Sequence, residues 1–137
     1  MNIKDYQKLA GRTLAVLLTK EQNLHLVLGM ITEVGELADV YKKQLAYGKE
    51  VDTYNVREEL GDLLFYIVNF CSVNEIDLEE VMEINISKLK VRYPKEFEQE
   101  KAINRDLRAE RKVLEGKRRM ILPGVQFTEI SEDELDV

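Results

Sequence analysis

The sequence predicts an all-α fold: a helical bundle of about four core helices followed by a charged helical extension. Only two prolines and seven glycines occur in 137 residues, of which 45% are hydrophobic and 34% charged. This composition favours helices over disorder or an all-β fold. Four segments also repeat apolar residues at the spacing of one helix face. A chain of this length forms one domain and buries a core of its own.

Polar capping residues and glycine mark where the predicted helices begin and end. The predicted helices run from Asn2 to about Lys20, from Gln22 or Asn23 to about Gly48, from Asp52 or Thr53 to about Cys71, and from Asp77 to the break at Tyr93-Pro94. Glu80 follows Asp77 by three residues, which completes an acidic version of the capping box. We expect one helical domain over residues 1–116, with its core at 22–93.

The C-terminal part of the chain has a different character. Residues 95–116 are densely charged with sparse apolar anchors. We expect one more helix there, which wraps the body of the protein or a neighbouring subunit. Residues 117–137 are predicted to form an extended arm followed by a mobile acidic tail.

Charge and cysteine content restrict the setting and the partners of the protein. A net charge of −6 speaks against a broad surface that tracks the phosphates of DNA or RNA. No run approaches the ~18 apolar residues of a membrane span, and the polar start of the chain lacks a signal-peptide core. The single cysteine, Cys71, forms no internal disulfide and suits a reducing compartment. We therefore expect a cytoplasmic protein without nucleic-acid or membrane partners.

Two pairs of carboxylates stand inside the second and third predicted helices. They are Glu33-x-x-Glu36 and Glu59-x-x-Asp62. Residues three apart lie side by side on a helix face, so two facing helices would gather four acids in one place. Buried acids repel one another and need a cation between them, and an all-oxygen set suits Mg²⁺ or Mn²⁺ better than zinc. The sequence therefore predicts a magnesium site inside the bundle.

A plainer interpretation is that these acids face solvent on ordinary amphipathic helices. On the second helix, however, apolar residues flank the acids and also form the opposite face, which indicates burial on both sides. On the third helix the acids share one stripe with amides and a tyrosine: Asn55, Glu59, Asp62, Tyr66 and Asn69. Arg57 is the only cation between Lys49 and Lys88, whereas exposed helices usually interleave both signs of charge. The stripe is therefore predicted to meet a partner that brings positive charge.

Three polar residues of the fourth helix, Asn85, Lys88 and Arg92, fall where its periodicity expects apolar core. In the functional interpretation they point at phosphate oxygens beside the metal, since arginine forks onto phosphate and lysine acts as a point charge. In the alternative interpretation their long side chains reach out to solvent at the rim of the core.

The remaining reactive residues narrow the chemistry. A lone His25 argues against zinc-protease and di-iron sites, which need paired histidines, and we expect it to be packed among leucines. Cys71 has no activating neighbour in the sequence and is predicted to be a small core residue. The chain has neither a Gly-rich phosphate loop nor a Gly-x-Ser-x-Gly elbow. Four carboxylates with lysine and arginine nearby leave metal-assisted phosphoryl or nucleotidyl chemistry.

The ordered set of two acid pairs, then Asn85-x-x-Lys88 and Arg92-Tyr93-Pro94, resembles the MazG-type, all-α nucleoside triphosphate pyrophosphohydrolases. The sequences around the acids, Thr-Glu-Val-Gly-Glu-Leu and Glu-Glu-Leu-Gly-Asp-Leu-Leu-Phe, match as well. Either acid pair alone would be a weak signal, because Glu-x-x-Glu is common on helices. The resemblance covers roughly residues 24–116, and the part around Asn104-Arg105-Asp106 is similar to an extension in one branch of the family.

The resemblance implies a Mg²⁺-dependent attack of water at the α-phosphorus of a nucleoside triphosphate, which yields a monophosphate and pyrophosphate and removes unwanted nucleotides. Carried over by position, Glu33, Glu36, Glu59 and Asp62 would hold the metal and act in catalysis. The residues that would contact the substrate are Asn85, Lys88, Arg92, Tyr66 and Asn69. Members of the family usually pair protomers so that two chains complete the bundle, which implies a homodimer or a homotetramer.

The sequence departs from the family pattern at one position, and two alternative functions remain. Thr32 stands where many members carry a further glutamate, which leaves the four acids intact but alters how additional ions would be held. A phosphoribosyl-ATP pyrophosphohydrolase-like enzyme would use the same helices on a different substrate. A catalytically silent helical dimerisation or regulatory module is the other alternative, and Mg²⁺-dependent release of pyrophosphate separates it from the enzymes.

Overall fold

The computed structural model describes residues 1–116, and this part of the chain is all-α, as predicted. The helices are α1 (Ile3–Ala10), α2 (Thr19–Tyr47), α3 (Thr53–Val73), α4 (Leu78–Arg92), α5 (Gln99–Ile103) and α6 (Leu107–Glu115), with a short 3₁₀ turn at Gly11–Thr13 after α1. None of the helices in this range is long and apolar enough to cross a membrane. The predicted arm and acidic tail, 117–137, lie outside the described residues.

Three predicted N-caps, Asn2, Asp52 and Asp77, are confirmed by hydrogen bonds. The Asn2 side chain accepts from the backbone N–H of Asp5 at 2.9 Å. Asp52 and Asp77 likewise accept from backbone N–H groups in the first turns of α3 and α4. Gly48 ends α2 with φ of 65°, the left-handed conformation that glycine adopts without steric cost. Gly48 and Asp52 therefore mark the turn that joins α2 to α3.

The first predicted helix was too long, and the second begins earlier than predicted. α1 ends at Ala10, whose carbonyl accepts a hydrogen bond from the Thr13 hydroxyl at 3.1 Å. The chain then runs extended until α2 starts at Thr19. The Leu17 backbone N–H in this stretch donates to the side-chain oxygen of the buried Gln22, in the first turns of α2, at 2.9 Å. Side chains that bond the backbone in this way compete with helix formation, which the apolar periodicity alone did not reveal.

The charged extension contains two short helices in the described range, α5 and α6, where one was predicted. The division falls at Asp106, whose side chain accepts from the Ala109 backbone N–H at 2.9 Å and so begins a new helix. α6 packs against α4, and this contact ties the extension to the bundle.

Helix packing places the two acid-bearing helices together. α2 and α3 form the most extensive helix pair, and α1 lies across α3, where the Tyr6 hydroxyl donates to the Gly61 carbonyl at 3.3 Å. A small core of Ala10, Val68, Cys71 and Leu78 joins α1, α3 and the start of α4. Cys71 is 7% exposed, which agrees with its predicted place in the core.

The two faces of α2 have different surroundings. Leu26 and Val40, on the side that also carries the acids, are buried. The opposite apolar face is exposed in the single chain, although burial on both sides was expected. Its exposed members are Leu24, Val27, Leu28, Ile31 and Val34. The acid side of α2 therefore faces the interior of the α2–α3 pair, and the other apolar side has no cover from residues 1–116.

Candidate metal and nucleotide site

Three of the four predicted acids meet where α2 packs along α3. Glu33, Glu59 and Asp62 each offer a carboxylate oxygen, and these oxygens lie within 4.8 Å of one another. We call these three residues the acid cluster. Glu59 is 5% exposed, Glu33 is half-buried and Asp62 is exposed, so the cluster opens to solvent on one side. Glu36 lies outside this group of three, although its charge reaches Glu33.

The surroundings of Glu33 disfavour its ionised form. Partial burial, a hydrogen bond with Glu59, and the negative charges of Glu36, Asp62 and Glu59 together raise the pKa of Glu33 above its usual range. The side-chain amide of Asn55 donates a short hydrogen bond to Glu59 and holds that carboxylate in place. Within residues 1–116, no lysine or arginine forms an ion pair with any of the four acids.

The donor set fits a hard divalent cation. It consists of carboxylate oxygens close enough to share one ion, it lacks an internal positive charge, and one member has its ionised form disfavoured. Mg²⁺ and Mn²⁺ prefer such oxygen ligands. Thr32, the departure from the family pattern, lies at the edge of the cluster, where its hydroxyl contacts a Glu33 oxygen at 3.4 Å and donates to the Gly29 carbonyl at 2.8 Å.

Tyr66 lies one turn along α3 from the cluster and crosses α2 at Gly29. A Cβ atom at Gly29 would overlap the Tyr66 ring, so this close approach requires glycine. His25 meets the same ring edge-on, with 6.0 Å between ring centroids. His25 is exposed, so the expectation that it is packed among leucines was wrong.

Asn69 continues the same stripe but is completely buried. Its amide nitrogen donates to the Phe65 carbonyl at 2.9 Å, and its oxygen has no hydrogen-bond partner among the described residues. A Cβ atom at Gly11 would lie 3.7 Å from that oxygen, so the chain just after α1 covers it. A nucleotide would reach Asn69 only if this segment moved, and its predicted contact with sugar or base stays a prediction.

The polar residues of α4 are not bonded to the acid cluster within residues 1–116. Asn85 is exposed and Lys88 is half-buried, and neither forms a hydrogen bond or ion pair with the four acids in the described range. Arg92 donates from Nε to Glu110 Oε1 at 2.8 Å and from Nη2 to Oε2 at 2.6 Å. The predicted phosphate contacts of these three residues therefore stay predictions.

Glu110 and Arg105 were missed from the sequence. Glu110 lies in α6 at helical spacing from Leu107, Val113 and Leu114, so it is a charged residue where apolar residues recur. The same signal singled out Arg92 on α4. Applied to α6, it would have identified Glu110 as a residue that needs a buried partner.

The sequence profile of the MazG nucleotide pyrophosphohydrolase domain matches residues 21–97, more than half of the chain. The chain belongs to the MazG family. The matched region spans α2, α3 and α4, and so contains both acid pairs and the polar residues of α4, whereas α5 and α6 follow it. No curated protein and no solved structure matches the chain.

Proposed function

We propose that this MazG-family protein is a Mg²⁺-dependent nucleoside triphosphate pyrophosphohydrolase. It would convert a ribo- or deoxyribonucleoside triphosphate and water into the monophosphate and pyrophosphate, and so clear unwanted nucleotides in a reducing cytoplasm. The observation that carries the proposal is the acid cluster, three carboxylate oxygens within 4.8 Å of one another, in a chain of this family.

The chain supplies groups for each part of such a reaction. Glu33, Glu59 and Asp62 would hold the ion, with Glu36 beside them. When bound, Mg²⁺ neutralises phosphate charge, polarises phosphorus and lowers the pKa of water. The oxygen of water adds to the α-phosphorus as the bond to the β-phosphate oxygen breaks, and a carboxylate free of metal accepts the proton from water. Asn85, Lys88 and Arg92 would bind the triphosphate, and Tyr66 would lie beside the sugar or base.

We also propose that a second copy of the chain covers the exposed face of α2, in a homodimer or a homotetramer. Leu24, Leu28 and Ile31 are between 51% and 62% exposed, an arrangement that is costly for a lone chain in water. Sedimentation of the wild type and of Ile31→Glu tests this, since the charge should shift the assembly towards monomer.

The deciding experiment measures pyrophosphate release from a panel of canonical, deoxy and damaged triphosphates and phosphoribosyl-ATP, with Mg²⁺, with Mn²⁺ and with chelator. We expect metal-dependent formation of monophosphate and pyrophosphate. In ¹⁸O-labelled water the label should enter the monophosphate, because water attacks the α-phosphorus. Release of orthophosphate, label in pyrophosphate, or no turnover of any compound would overturn the proposal.

A further inference from the structure

The extension closes on α4 through one carboxylate held between two arginines. Glu110 of α6 accepts both prongs of the Arg92 guanidinium, from Nε at 2.8 Å and from Nη2 at 2.6 Å. Arg105, in the turn before α6, approaches the same carboxylate with Nη2 at 2.7 Å and Nε at 3.3 Å. We call these three residues the arginine clamp.

The three side chains of the arginine clamp differ in how deeply they are buried. The Glu110 side chain is 4% exposed and the Arg92 side chain 16%, whereas Arg105 is 40% exposed. A buried carboxylate must keep its cations, because one left without a partner carries the full cost of its desolvation. The hydrogen bonds from Arg92 and Arg105 accordingly lower the pKa of Glu110 to about 2. Glu110 therefore fixes the Arg92 guanidinium in one orientation.

The clamp leaves part of Arg92 available to a ligand. A guanidinium has donors on two edges and at its tip, and the bidentate pair uses Nε and one hydrogen of Nη2. The remaining N–H groups at the tip can still donate to an acceptor such as phosphate. Two arginines against one carboxylate also leave the clamp with net positive charge. A cleft of about 200 Å³ adjoins it, and the charged residues that line this cleft are Arg92, Lys101, Asp106 and Glu110.

We propose that Glu110 is a positioning residue for Arg92: it fixes the guanidinium so that the tip binds the triphosphate, while Arg105 balances the charge of the carboxylate. The inference rests on the proposed function, since it takes Arg92 as a phosphate-binding residue. It gives the two helices that follow the matched family region a part in substrate binding. Glu110 acts through Arg92 and touches no reacting atom.

The test compares steady-state kinetics of the full chain with those of Glu110→Gln, which keeps shape but loses charge. We expect KM, and the inhibition constant of added pyrophosphate, to rise about tenfold, with kcat changing much less. Arg105→Gln should raise both constants by a smaller factor, because Arg92 must then neutralise the Glu110 carboxylate on its own. Glu115→Gln is the matched control, since it loses only the exposed pair with Arg111 on the same helix.

A double-mutant cycle separates positioning from a merely structural role. In an Arg92→Ala background, Glu110→Gln should add less than about a twofold change, because the residue it positions is gone. A similar loss in both backgrounds, or a lowered melting temperature with unchanged KM and inhibition constant, would overturn the proposal. Should Glu110→Gln not fold, Glu110→Asp and Arg105→Gln give the same two comparisons.

Failure of this inference is distinguishable from failure of the proposed function. A wild type that releases no pyrophosphate from any nucleotide overturns both. A wild type that turns over normally and is damaged by Arg92→Ala, but whose KM is unmoved by Glu110→Gln, overturns only the positioning role.

Discussion

Among residues 1–116, the three carboxylates of the acid cluster form no ion pair with lysine or arginine, whereas the one carboxylate of the arginine clamp pairs with two arginines. The surroundings move the pKa values of Glu33 and Glu110 in opposite directions. Crowding and partial burial raise the pKa of Glu33, and two guanidinium groups lower the pKa of Glu110 to about 2. The clamp is electrostatically complete within residues 1–116. The acid cluster becomes balanced only when positive charge arrives from outside.

This contrast distinguishes a binding site from a structural contact in a protein rich in both charges. Acids are common on helices, and ion pairs fasten many of them. A group of acids that forms no ion pair with lysine or arginine within residues 1–116 is a candidate site, because a bound cation would relieve the repulsion among its members. The following experiments test that difference, from the largest expected effect to the smallest.

Removing one acid should break the site while relieving the repulsion. Asp62→Asn should lower kcat/KM at least about a hundredfold, because a ligand of the metal is lost. Without metal the same variant should melt at a higher temperature than the wild type, since one repelling charge is gone. Glu58→Gln, an exposed acid on the same helix, is the control. Near-normal turnover of Asp62→Asn at saturating Mg²⁺ would remove Asp62 from the site.

Substitutions of the α4 cations should damage substrate binding but not metal binding. Lys88→Ala and Arg92→Ala should each lower kcat/KM about tenfold to a hundredfold, the worth of a charge-assisted hydrogen bond to phosphate. Arg92→Lys should recover only part of the loss, because an ammonium group cannot fork. The stabilisation by Mg²⁺ should survive in all three, and the exposed Lys90→Ala serves as control. Normal turnover in both alanine variants would favour side chains that only reach out to solvent.

Added Mg²⁺ should stabilise the folded protein. Mg²⁺ at about a hundred times its dissociation constant contributes about 2.7 kcal/mol to the folded state, which raises the melting temperature by roughly 5–10 °C. The rise should shrink in Asp62→Asn and stay unchanged in Glu110→Gln, because the clamp has its own cations. An unmoved melting curve at millimolar Mg²⁺, with and without a nonhydrolysable nucleotide, would mean that the acid cluster binds no ion.

The stability of the metal-free protein should depend on pH with opposite signs for Glu110 of the arginine clamp and Glu33 of the acid cluster. Glu110 has a folded-state pKa below its ordinary 4.5, so its contribution is present above that pH and is lost as the pH falls towards about 2. Glu33 has a raised pKa, so the metal-free protein loses stability as the pH rises above 4.5 and Glu33 ionises. Melting in chelator from about pH 2 to pH 7 should show a flatter acid limb for Glu110→Gln and a flatter neutral limb for Glu33→Gln. Unchanged limbs would contradict these assignments.

The sequence was sufficient for features that depend on neighbouring residues. The caps at Asn2, Asp52 and Asp77 and the left-handed Gly48 each use contacts within a few residues, and each was predicted. The meeting of Glu33 with the second acid pair also follows from local rules, because a short turn brings consecutive helices side by side. Helical spacing then places Glu33 opposite Glu59 and Asp62.

Features that depend on distant pairing were not predictable in the same way. Arg92 and Glu110 are separated by eighteen positions and two breaks in the helices, so nothing local announces their contact. The early end of α1 depends on the side chains of Thr13 and Gln22, which bond the backbone against the apolar periodicity. Helical spacing alone also gave the wrong grouping for Glu36. It lies three residues after Glu33, yet it is outside the group of three carboxylate oxygens.

The buried thiol provides a way to time the opening of the bundle. Cys71 is the only cysteine in the chain, it lies where α1, α3 and the start of α4 meet, and burial raises its pKa. An alkylating reagent attacks the thiolate, so the closed protein should react slowly and only through moments when these helices part. Because one site gives one adduct, the mass of the intact chain over time yields a single rate. That rate measures how often the junction of the three helices opens.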